Sequence, residues 1–172
     1  MSRWWNANLQ GFVALLVAVV VGSIMVESID VHTVASVVSP SDISSSARFG
    51  DYQSMKFSGN GNYLAVAAPY DDITYSDRGS VFVFARDGAS WVQQAKLTVS
   101  DGTTSDRFGE EAVAISEDGQ FIVVGAQKKD GSYTDQGAVY IYGRSGTTWT
   151  QRQKINPPSG SYNLAFGKSV AL

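Results

Sequence analysis

No cysteine occurs anywhere in the chain, which excludes a disulfide framework, a thiolate metal cage and a cysteine nucleophile. Stability has to come from packing and hydrogen bonds. Charge is sparse at 17% of residues, and its 13 Lys and Arg are scattered among 16 Asp and Glu, for a net charge of −3. No basic stripe forms, so nucleic acid is not an expected partner. The only histidine, His32, is remote in sequence from any serine or carboxylate that would complete a catalytic set, and reads as a surface or strand residue. G-x-S-x-G, H-E-x-x-H and phosphate-loop motifs are missing as well. Catalysis therefore has little to stand on.

What is present is apolar and rich in glycine: 44% hydrophobic residues and 17 glycines, the composition of a strand-rich globular chain. The amino-terminal stretch differs from the rest. From Trp4 to Val26 no charged side chain appears, and as a helix this run would span about 35 Å, enough to cross a hydrocarbon core. Residues 1–30 are thus expected to be a secretory signal peptide, with Val26-Glu27-Ser28 or Thr33-Val34-Ala35 as cleavage sites, or a signal-anchor helix with its amino terminus in the cytoplasm. Either reading places the remainder of the chain outside the membrane. Residues 31–40 read as a linker or an orphan outer strand.

From Ser41 on, the chain repeats itself. Sliding Ser58 onto Ser116 aligns 41 residues without a gap, 14 of them identical, and most other pairs are like for like, such as Tyr63 with Phe121 and Phe82 with Tyr140. Upstream, "SDISSSARFG" aligns with "SDGTTSDRFG", and the Phe-Gly pair recurs at Phe166-Gly167. Residues 41–99 and 100–158 are two full units, and 159–172 is the start of a third. Each full unit predicts four antiparallel strands: a short apolar strand, a glycine hairpin, an apolar partner, an aromatic-rich strand covered on both faces, then a mixed edge strand opened by Trp91 or Trp149. Repetition of four-stranded units at this period indicates an all-β, partial β-propeller of two blades and an incomplete third.

These spaced elements resemble the FG-GAP repeat found in the β-propeller at the head of integrin α chains. Phe49-Gly50, Phe108-Gly109 and Phe166-Gly167 match the FG element; Ala67-Ala68-Pro69 and Gly125-Ala126-Gln127 match the GAP element, each with one departure. The resemblance implies an extracellular or cell-surface binding platform, non-catalytic, with a protein or glycan ligand, membrane attachment through the amino-terminal helix if it is uncleaved, and further blades or self-association to complete a ring. A propeller enzyme whose site lies in other blades, and a structural spacer, are the rival readings. No cofactor is expected. The hairpins "SGNGN" and "SEDGQ" lack the alternating oxygens of a calcium loop. A second acidic set recurs in the longer loops, where Asp72 aligns with Asp130 and Asp77 with Asp135; these four are the candidates for a metal, against the reading that each caps loop amides.

Overall fold

Strand-forming residues and turn glycines alternate from Met55 to Ile155, and the computed structural model bears out that pattern. It describes residues 38, 40–51, 55–158 and 162–172; the apolar amino-terminal segment and the stretch 31–37 lie outside the described residues. Among the described residues there is no helix long and apolar enough to cross a membrane. From Pro40 onward they form one compact unit.

Eight strands appear: β1 (Met55–Phe57), β2 (Tyr63–Ala68), β3 (Ser80–Asp87), β4 (Ser90–Leu97), β5 (Val113–Ile115), β6 (Phe121–Ala126), β7 (Ala138–Ser145) and β8 (Thr148–Ile155). They make two four-stranded antiparallel sheets, β1-β2-β3-β4 and β5-β6-β7-β8. The two registers match residue for residue: Val66 faces Phe82 as Val124 faces Tyr140. Both sheets shift register at the same place, between Val83 and Phe84 and between Ile141 and Tyr142. The extra residues there are Gln94 and Arg152, and a bulge of this kind increases the local twist of an edge strand.

The sheets pack face to face. Ala65, Ala67, Val81, Val83 and Leu97 of the first meet Val113, Ile115, Ile122, Val124, Tyr140 and Tyr142 of the second in one buried cluster. Phe108 is fully buried in it, edge-on to Tyr140 and Tyr142 at 5.7 and 6.0 Å between ring centroids. Two side-chain hydrogen bonds cross the junction at the outer strand: the Tyr142 hydroxyl donates to the Thr98 carbonyl at 2.9 Å, and the Trp149 indole N–H donates to Gln94 Oε1 at 2.8 Å. Burial pushes the Tyr142 hydroxyl well above the usual tyrosine range, as does the nearby Asp101, although Arg78 opposes it. It remains a proton donor at any ordinary pH. Phe84 holds the same place in the first sheet, so Tyr142→Phe is a native-like packing change that deletes one buried hydrogen bond. A loss of about 1 kcal/mol is expected in thermal denaturation, since the Thr98 carbonyl is left unpaired.

The expected first strand of a third unit is not formed. Phe166 makes an isolated parallel bridge to Gly137, but residues 168–172 have no regular structure. The reason is that a strand exists only through its ladder. β1 takes its ladder from β2, and β5 takes its own from β6.

Candidate functional site

The Phe-Gly element is a two-sided backbone stitch. The Phe108 N–H donates to the Arg78 carbonyl of the preceding unit at 3.0 Å, while the Gly109 N–H donates to the Gly125 carbonyl of its own unit at 2.9 Å. Phe166 repeats the first bond onto Gln136 at 3.0 Å, and Gly50 repeats the second onto Ala67 at 2.9 Å. The FG and GAP elements are therefore two halves of one contact. The stitch depends on Gly79 and Gly137, which lie at φ +84° and +83° and where a Cβ would fall 2.6 Å from the Phe108 backbone and 2.1 Å from the Phe166 carbonyl.

Next to each stitch rises a long loop, 69–79 between β2 and β3 and 127–137 between β6 and β7. Both sit at the same end of the sheets as the connection from β4 to β5. Backbone bonds close them identically: Gly79 to Asp71 at 3.2 Å and Gly137 to Lys129 at 3.0 Å. Within each loop, Asp72 accepts the Asp77 amide at 2.8 Å and Asp130 accepts the Asp135 amide at 2.9 Å. The residues that donate, Asp77 and Asp135, both stand in the left-handed region at φ 53° and 52°, a conformation Asp tolerates because its side chain bonds locally. The four aspartates thus lie as two separate pairs, one in each loop. The Asp135 carboxylate is engaged by Lys128 at 2.9 Å. Among the described residues no group of three or more His, Asp or Glu side chains is assembled to hold a metal ion.

Between the aspartates each loop carries an outward tyrosine flanked by hydroxyls, Thr74-Tyr75-Ser76 and Ser132-Tyr133-Thr134. Tyr75 is 49% exposed and Tyr133 38%. The backbone behind them is pinned, because the carbonyls of Ser76 and Thr134 accept the amides of Ser105 and Asn163 at 2.9 and 3.0 Å. Tyr133 meets Tyr162 edge-on at 5.1 Å. The same exposed ring therefore recurs on a repeated, rigid frame, while its neighbours vary from Ile73 to Gly131 and from Tyr70 to Lys128. Sequence reasoning passed over these tyrosines. Their alignment one unit apart inside otherwise divergent loops was the available signal.

Beneath the loops lies a charge reversal that the alignment held in plain view. In the first unit the fully buried Asp71 carboxylate accepts from the Ser44 amide at 2.9 Å and the Ser80 hydroxyl at 2.7 Å, and pairs with Lys96 at 2.9 Å. In the second unit Lys129 stands at that position, and Asp106 replaces Ala47 to meet it at 3.4 Å. Asp106 also takes the amide of Thr103, the counterpart of Ser44, at 2.6 Å. One buried carboxylate thus caps the same turn in both units, supplied from two different backbone positions.

Burial by itself would raise the Asp71 carboxyl. The Ser44 amide, the Ser80 hydroxyl and the Lys96 ammonium outweigh it and hold the group below the usual carboxylate value. A folded-state value that is depressed contributes stability above the unfolded pKa and loses it as pH falls through the folded one. Urea midpoints are accordingly expected to hold from neutral pH down to about 4 and to decline below it, with the decline shallower in Asp71→Asn. An equal slope in that variant would assign the acid sensitivity elsewhere.

Residues 91–142 match the family model of the FG-GAP repeat. The matched stretch runs from the start of β4, through the Phe108-Gly109 stitch, to the middle of β7, and so straddles the junction of the two sheets. No curated protein shows significant similarity to the chain.

Proposed function

We propose that the chain is a β-propeller repeat module of an extracellular or cell-surface protein, its two sheets serving as blades and Phe166-Gly167 opening a third. It acts without catalysis, in adhesion or ligand recognition, through the end of the blades that carries the long loops. One observation carries this reading: the loops 69–79 and 127–137 share a hydrogen-bonded frame and an outward tyrosine, while the side chains around that ring differ from unit to unit. A frame that is constant under variable faces is the arrangement in which recognition is separated from folding. The tyrosines add large, rigid, amphipathic surface at low entropic cost, which suits a protein or glycan ligand.

The test uses the full chain immobilised on a surface, assayed for attachment of cells and for binding to an array of proteins and glycans. Tyr75→Ser combined with Tyr133→Ser is expected to abolish retention. Val92→Ser, at an exposed position on β4, is expected to leave it intact. Retention that is indifferent to the tyrosines removes the long-loop end from the function.

A further inference from the structure

On the first sheet, the surface beside the β1–β2 hairpin is filled by groups from the second sheet. Glu117 lies against Gly59, where a Cβ would stand 2.5 Å from its Cγ, and the Asn60 amide donates to the Glu117 carbonyl at 2.9 Å. Arg144 sits over the Tyr63 ring at 4.3 Å, and Trp149 meets the same ring edge-on at 6.4 Å while its indole N–H donates to Gln94. One unit later the corresponding surface is open. A shallow hollow of about 580 Å³ reaches it from the seam of the two hairpins, lined by Ser116, Glu117, Asp118 and Phe121 of the second sheet and by Asn60 of the first. Phe121, the counterpart of Tyr63, is 48% exposed, and Ile155, the counterpart of Leu97, is 36% exposed. At the other end of that face Phe166 and Gly167 are seated on Gln136, Gly137 and Val139 as Phe108 and Gly109 are on Arg78, Gly79 and Val81.

The two surfaces are nonetheless not equivalent. The second sheet carries Glu117 where the first carries Gly59, so a glutamate arriving there would meet like charge. Arg152 occupies the bulge position of Gln94 and offers only donors, so an arriving indole N–H would find no acceptor.

We infer that this face of the second sheet docks one further four-stranded unit that enters through Phe166-Gly167, and that it selects for a composition unlike that of the second unit. The incoming unit is small or basic where the second carries Glu117, and bears a hydrogen-bond acceptor where the second carries Trp149. The inference rests on the propeller reading and adds to it a rule of neighbour choice: consecutive units are not interchangeable, because mismatched charge and unpaired donors exclude the wrong neighbour.

The rule is tested on the full chain extended after Leu172 by a second copy of residues 116–158, with side-chain accessibility read by hydroxyl-radical footprinting of Phe121 and Ile155. A copy carrying Glu117→Lys and Trp149→Glu is expected to lower oxidation of both residues several-fold. The unmodified copy is expected to leave them as reactive as in the unextended chain. The reciprocal change, Glu117→Gly with Arg152→Gln in the receiving sheet only, is expected to restore protection by the unmodified copy. Protection by both copies without that change overturns the rule and leaves the propeller reading standing; protection in none of the three overturns the docking face itself.

Discussion

Gly79→Ala is expected to destabilise the protein by at least about 3 kcal/mol, whereas Gly88→Ala costs about 1 kcal/mol. Both glycines lie at positive φ, +84° and +59°, so the backbone penalty for an L side chain is comparable. The difference is what the new methyl meets. At Gly88 it enters open space, and at Gly79 it meets the amide nitrogen, the carbonyl oxygen and the Cα of Phe108 at 2.6, 2.6 and 3.1 Å. Backbone cannot rotate aside as a side chain does, so relief requires separating the sheets. Phe108, fully buried against Tyr140 and Tyr142, would be drawn out with it. In thermal denaturation about 3 kcal/mol corresponds to a fall of roughly 10 °C. Equal losses at the two positions would mean that the stitch carries none of the junction's stability.

The buried charges give the second large effect. Lys129→Asp places a carboxylate beside Asp106, whose side chain is 1% exposed, and is expected to cost about 3 to 5 kcal/mol, the range for breaking a buried pair and stranding its partner. Adding Asp106→Ala and Ala138→Ser rebuilds the first unit's arrangement: Ala47, Asp71 and Ser80 have these residues as counterparts, and Lys154 stands where Lys96 does. The triple variant is expected to recover most of the loss in urea denaturation. Simple addition of the separate effects would show that the two arrangements are not alternative solutions to one problem, because coupled residues deviate from additivity.

The strands were legible because the residues that make them are the residues that show. Mixed, partial burial in β4, continuous burial in β2 and β6, and glycine at φ +69° and +68° in the hairpins at Gly61 and Gly119 each leave a local mark. The pairing of FG with GAP was legible as recurrence, though not as a contact, since nothing in the letters says that Gly109 bonds Gly125. The bulges at Gln94 and Arg152 left no mark: "QQAK" and "QRQK" read as unbroken strand, and the shift comes from the twist of the pair rather than from either residue. In the aligned letters, Asp71 against Lys129 is simply a mismatch. Only the fold, by bringing position 47 or 106 under the loop, turns two unrelated differences into one shared interaction.

The stitch also sets the timetable of biosynthesis. The carbonyl of Arg78 waits for an amide 30 positions downstream, in Phe108, so the first sheet can be fully translated and still lack a partner at its exit. Each unit is finished by the opening residues of its successor. A nascent chain of this design therefore matures one step behind the ribosome, and its most recently made sheet is always the one still exposed to chaperones and to misassembly.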